Sequence, residues 1–599
     1  MKKYIFILVF LLASTTANAF YAKIDGIYYD LVTKGQVAFV TSGEENTSSE
    51  VTIPSTVEYE GISYTVTTIK RGAFNSCKNI TKITLPNSIT EIDIDAFRDC
   101  SALQSIKLPD FLEKIGEYAF CWCENLTSLS LPASLKEVGG NAFSYCLRLT
   151  TVTFEGTISK MGEYVFRDCD NLKTVTFAND MTTIFTKMFF NCCSLESVNI
   201  PESVTIIEEG AFEKTSLSSI TISPNVTKIG AEAFAYTKLK SIIIPETVQE
   251  IGHSLFSGCV GLASVKLPSH ITSIPNSCFS SCFSLTEMPI PQDVTSIGAW
   301  AFWNCTGLIS FDIPTSVTSI GVSAFSGCTG LKSFTLPSSV TSIGNRAFEG
   351  TGLTSVEIPS SITELGEYAF RGCKDLESVK IDAMTDKGSR YIFQDCINLR
   401  KVVFAKNITR IYGAAFENCE ALEEVNLDNI VHIGGSAFKN CKKLKSVYLP
   451  NIETLSTNVF SSCTGLTTVT LGSHISEFKN SSKYGGSSCV FMYCENLTDF
   501  YCHAETPPKT DGGDFYGAYI EYATLHVPAS AIEAYRSTKP WSEFGSIVPI
   551  ETGIEEIDNG QLTIDNASDG WFTIDGQKLS GTPNKQGVYI NNGKVIVIK

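Results

Sequence analysis

Residues 325–348 read FSGCTGLKSFTLPSSVTSIGNRAF, and the next 22 residues end on the same Ala-Phe pair at Phe370. Within this stretch Leu331, Phe334 and Leu336 are apolar, and Ser333 and Thr335 alternate with the last two. Period-2 alternation that stops at Pro337 predicts a short strand closed by a turn. Val340 and Ile343 then point inward from a second short strand. Gly344 is expected to supply the bend that brings Ala347 and Phe348 onto the core.

One such coil has too little apolar surface to exclude water. Repeated, it shares a core with its neighbours. The repeat phenylalanine recurs at 74, 97, 120 and onward to 460, every 22 or 23 residues, and then at 491 after a gap of 31. That makes 19 copies over residues 51–505. The expected fold is mainly β, a solenoid of about 19 repeats with rungs about 4.8 Å apart. Phe97, Cys100 and Leu103 in one copy, and Phe325, Cys328 and Leu331 in another, are its expected core.

Sixteen of the 21 cysteines lie three residues after the repeat phenylalanine, and Thr215, Thr237 and Thr351 take that place in three 22-residue copies. Threonine supplies neither a bridge nor a thiolate. Obligatory disulfides or metal at every rung are thereby excluded, and a small, weakly polar core filler is the expected role. Disulfides between some rungs remain compatible with export. No CxxC pairs or histidine clusters accompany the column, so no metal is expected.

The pattern C-x-x-L-x-x-[VI]-x-[LIF]-P-x-x-[VI]-x-x-[IL]-G-x-x-A-F, nearly complete from Cys305 to Phe325, resembles the BspA-like type of leucine-rich repeat. The resemblance implies a bacterial surface or secreted protein, with adhesion to host proteins or other microbes among the activities of the family. It supplies no catalytic motif and no cofactor.

The ends read differently. Lys2 and Lys3, an apolar run from Tyr4 to Ala13 and the Ala17-Asn18-Ala19 stretch form a secretory leader, residues 1–19, with cleavage expected before Phe20. Residues 20–50 are expected to be β-hairpins capping the first rung, with Asp25-Gly26 as a turn. Residues 506–550 are expected to close the array with a strand, a short helix carrying Trp541 and a final strand. Residues 551–599 form a small β module, read either as a sorting and attachment element of the kind found on exported Bacteroidetes proteins or as a plain packing domain.

The 599-residue chain carries a formal charge of −17, or −19 without Lys2 and Lys3. An acidic surface repels phosphate backbones and anionic lipid, so no nucleic-acid partner is expected. No run after the leader is long and apolar enough to span a membrane.

A ligand is therefore sought on the outside. The residue before the central Val or Ile of each first strand is Ser or Thr in most copies (Ser105, Ser128, Thr151, Thr174), which reads as a hydroxyl ladder. The residue after it varies: Lys107, Asn199, Ile243, Lys266, Asp312, Glu357, Lys380, Val403, Tyr448. A constant scaffold with changing side chains is how solenoids bind, although a merely solvated face varies too. Trp300 and Trp303 are open to two readings: an exposed pair for a sugar or a protein, or a packed corner. The insertion at 472–489 reads as a surface loop.

No nucleophile elbow, P-loop or metalloprotease motif is present, and Asp312 and Glu357 are separated by a rung bearing Thr335. The expected function is adhesin-like binding of a protein or glycan along the solenoid face. The alternative is a structural spacer without a specific ligand.

Overall fold

The computed structural model describes residues 19–43, 48–385, 388–479, 489–510 and 513–550, and short strands beyond 550. Residues 1–18 of the expected leader and residues 480–488 of the insertion lie outside these. The chain folds as two compact units divided between Val425 and Asn426. Both are β-solenoid in character and almost devoid of helix.

In the first unit a coil typically contributes a first strand, such as Ser355–Ile358, and a second of two residues, such as Glu364–Leu365; in some coils the first strand is reduced to an isolated bridge, as at Asn199–Thr221 and Ser310–Ser333. Like strands pair in parallel with a register of one repeat: Ser355–Ile358 against Ser378–Ile381, and Ser342–Ile343 against Glu364–Leu365. A proline at the strand end removes an amide where the chain turns, and its carbonyl accepts the amide three residues on (Val340 N to Pro337 O, 3.0 Å). Two residues after that proline, a hydroxyl donates to the previous rung. Ser316 reaches Val294 O at 2.6 Å, and Ser339 reaches Val317 O at 2.8 Å.

The core is a stack. Sixteen phenylalanines from Phe74 to Phe416 lie ring on ring, neighbouring centroids 5.0–6.0 Å apart and planes within 17°. Phe97, Cys100, Leu103, Phe325, Cys328 and Leu331 are all buried. Each phenylalanine sits between two left-handed residues. At the positions two before and two after it, φ falls between 49° and 77° from rung to rung, as at Asp95 and Asp99 around Phe97. This conformation aims alternate amides along the stack: Asp95 N to Glu117 O (2.9 Å), Phe97 N to Ala119 O (2.7 Å), Asp99 N to Cys121 O (2.8 Å).

The chain turns after Gly344 as expected, but not through a left-handed glycine. The φ of Gly344 is not positive; instead a Cβ there would lie 2.6 Å from Val322 N and 2.7 Å from the Gly321 carbonyl carbon. Glycine is required because successive backbones touch.

The N-terminal strands Ala19–Ile24, Ile27–Val32 and Val37–Thr41 are antiparallel, joined at Asp25 and Gly26, whose positive φ values make a primed hairpin turn. Val37–Thr41 then pairs with Ile62–Ile69, which leads into the column of second strands.

In the second unit Phe438, Phe460, Phe491 and Phe515 form a like stack with 5.6 Å spacings. Phe515 thus adds a coil beyond Phe491. Strands Thr524–Val527 and Ser546–Pro549 extend the parallel ladder that begins at Ser446–Leu449. The helix is only Ile532–Arg536; Trp541 opens a separate 3-10 turn. Fully buried, Trp541 donates Nε1–H to Pro508 O at 3.1 Å and meets Phe478, Phe500 and Phe515 edge-on. Beyond it, Glu555–Ile557, Trp571–Thr573, Gly587–Asn591 and Lys594–Ile598 form a four-stranded antiparallel sheet.

Candidate interaction surfaces

The first-strand face is built by alternation. Val265, Val356, Val379 and Val447 are buried, which turns the following residue outward. Lys107, Asn199, Ile243, Lys266, Asp312, Glu357, Lys380 and Tyr448 are all exposed, Ile243 at 67% and Tyr448 at 54%. Register brings some of them side by side: Ile243 opposite Lys266, and Glu357 opposite Lys380, which is opposite Val403. Lys380 Nζ lies 3.4 Å from Asp382 and 3.6 Å from Glu357, and the Asp382 carboxylate first, then Glu357, raises its pKa. Lys107 pairs with Asp110 at 3.4 Å. Asn199 bridges to Thr221 through the backbone. Glu357 therefore meets a lysine, not the second carboxylate that glycoside hydrolysis would need.

The second unit adds residues that sequence reasoning missed. Tyr448 is in register with Thr470, Tyr501 and His526 along four adjacent strands. The Tyr501 and His526 rings stack at 4.1 Å and 11°, and His526 Nε2 lies 3.0 Å from Asp499 Oδ1. The signal was there: TLHV at 524–527 repeats the alternation of SVYL at 446–449.

The expected hydroxyl ladder of the first strands is displaced. The hydroxyl-to-carbonyl ladders that form use Thr150 to Thr127 O (2.9 Å), one residue earlier, and Thr295 to Thr272 O (3.0 Å) beside the second strands.

Trp300 and Trp303 are not a packed corner. They are 47% and 41% exposed, and they sit on the turn that carries the repeat phenylalanine rather than on the strand face.

The cysteine column is interior. Cys328 Sγ donates to Phe302 O one rung back at 3.0 Å, as do Cys305 to Phe279 O and Cys282 to Phe256 O. These are free thiols. Burial pushes the pKa of Cys259 up to about 11 and that of Cys305 up to about 12, so both are protonated at neutral pH and unsuited to nucleophilic attack or metal binding.

Residues 49–534 match, in overlapping segments from 49–172 to 421–534, the family profile described as "BspA type Leucine rich repeat region (6 copies)". The chain belongs to the BspA-type leucine-rich repeat family. No curated protein sequence matches it. Among solved structures, it is similar to a leucine-rich repeat protein from Bacteroides ovatus: 22% identity over 84% of this chain and 98% of that one, TM-score 0.45. A leucine-rich repeat protein from Eubacterium ventriosum shares 24% identity over 57% of this chain and 97% of its own, TM-score 0.40. A leucine rich cell surface protein from Faecalibacterium prausnitzii shares 22% over 76% and 94%, TM-score 0.29. Among the described residues of this BspA-type chain, no helix is long and apolar enough to cross a membrane.

Proposed function

We propose that this BspA-type protein is an exported, adhesin-like binding protein of the bacterial surface that recognises a protein or glycan along its first-strand face. The observation carrying this reading is the outward column itself. Its side chains change from Asn199 to Ile243, Lys266, Glu357 and Tyr448, while the residues on either side stay fixed by the core. Within each unit the backbone pairing between rungs holds these side chains at rung spacing, so little ordering entropy is lost on binding. Residues 551–599, whose described strands pair with one another, serve as the sorting or attachment element. Catalysis has no support from the arrangement of acids and bases.

A spacer without a specific ligand is favoured by one feature: many surface charges neutralise each other between rungs, as in Lys114–Glu91 (2.7 Å), Lys136–Glu113 (2.8 Å) and Lys401–Glu424 (2.7 Å).

Arrays of host proteins and glycans probed with the full chain separate the two. Specific hits weakened by Ile243→Ser with Lys380→Ala support binding, and an absence of hits supports the spacer. Protease shaving of intact cells, with and without residues 551–599, tests surface placement and the role of the tail.

A further inference from the structure

On the turn face of the first unit, several large aromatic side chains each meet a neighbouring ring or cation. Trp122 lies on Tyr145 at 4.1 Å and 2°, and Tyr368 lies on Tyr391 at 4.7 Å. Cations cover others: Arg98 over Tyr118 (5.3 Å), Arg167 over Tyr164 (5.4 Å), Lys214 over Tyr236 (5.8 Å).

Trp300 and Trp303 depart from this. They share one turn, Trp303 N donating to Trp300 O at 3.1 Å, and among the described residues neither a ring nor a cation lies over either indole. The matching positions are Ser277 and Ser280 on the rung before, and Ser323 and Ser326 on the rung after. Both indoles thus stand above a bed of small hydroxyl side chains. The surroundings are also poor in charge. Between Ser254 and Asn345 the only Asp, Glu, Lys or Arg residues are Lys266, Glu287, Asp293, Asp312 and Lys332, and none occupies a turn-face position. On other rungs those positions carry Arg98, Asp168, Lys214, Arg346 and Arg371.

We propose that Trp300 and Trp303 form a binding platform for a neutral carbohydrate. An indole face is electron-rich and attracts the partially positive C–H face of a pyranose ring. The flanking serines and the Asn304 amide offer hydrogen bonds to its hydroxyls. An anionic glycan would find no cation on this surface, and a charged peptide no counter-charge. This rests on the reading of the chain as a binding protein and adds a second surface, apart from the strand face.

The test is native affinity electrophoresis of the full chain through gels containing starch, β-1,3-glucan, xylan or mannan, with tryptophan fluorescence as the second readout. At least one polysaccharide should retard the protein, and Trp300→Ser or Trp303→Ser should weaken that retardation at least tenfold. Both substitutions install what adjoining rungs already carry, Ser323 with the same left-handed φ as Trp300, so the thermal midpoint should hold. Lys380→Ala should leave the retardation unchanged. The proposal is overturned if no polysaccharide retards the chain, if retardation survives the double substitution, or if the double substitution abolishes only protein capture on an array. The strand-face reading fails separately, when Ile243→Ser with Lys380→Ala leaves every array hit intact.

Discussion

Thr237 and Cys259 share one acceptor. The threonine hydroxyl reaches Phe234 O at 2.8 Å from its own rung, the cysteine thiol reaches it at 3.1 Å from the next, and the two side chains are 3.2 Å apart. Thr351 and Cys373 repeat the arrangement around Phe348 O. The column therefore needs a small donor that quiets a buried carbonyl, and thiol chemistry is incidental. Cys328→Ala should cost about 1–2 kcal/mol, from a lost hydrogen bond and a small void, in urea unfolding. Retention of full stability would show that the Phe302 carbonyl needs no partner.

Buried thiols also make stability pH-dependent. Cys259 and Cys305 titrate near 11 and 12 when folded, raised by burial, against about 8.5 in an unfolded chain. Between those values the unfolded state loses protons first. The contribution is therefore complete below pH 8.5 and fades as pH rises through the folded values, by up to about 1.4 kcal/mol per pH unit per thiol. Thermal midpoints should be level from pH 7 to 8.5 and drop steeply above pH 9. A flat profile to pH 10.5 contradicts thiol burial.

Reagent access follows the same geometry. Cys193 is the exposed cysteine, whereas Cys100, Cys328 and Cys463 are buried. With a chromogenic disulfide at pH 8, Cys193 should react within minutes, half-buried Cys77 and Cys489 more slowly, and the buried column only after denaturation. Rapid reaction of more than a few thiols would mean the rungs open readily.

The two kinds of glycine should respond differently. At Gly344 a methyl group meets the backbone of the previous rung, so Gly344→Ala should cost about 2 kcal/mol or more. Gly350 has φ 67° and open space around it, and Asn304 and Asn418 hold its place on other rungs. Gly350→Asn should change stability by less than about 1 kcal/mol. Calorimetry on the two variants decides; equal losses would remove the distinction between close approach and left-handed turn.

In the second unit Trp541 closes the core. Trp541→Ala leaves a large cavity and orphans Pro508 O, and a loss of about 3–5 kcal/mol is expected. A loss below 1 kcal/mol in chemical unfolding would mean the end of the core closes without it.

The 22- and 23-residue period by itself determined the solenoid, the inward columns of Phe, Cys and Leu, and which strand residues face out, because burial in a parallel ladder leaves a repeated sequence one register. Even the two left-handed columns left a trace. From Gly72 to Asn458 and from Ser76 to Gly517 they contain Gly, Asn, Asp, Ser, Tyr and other unbranched residues, but no Val, Ile or Thr. What only the tertiary structure decided was contact between rungs. That Gly344 answers to Val322, that Thr237 and Cys259 meet at one carbonyl, and that nothing covers Trp300 while Trp122 lies under Tyr145 depend on side chains about 23 residues apart, whose meeting is set by how coils stack.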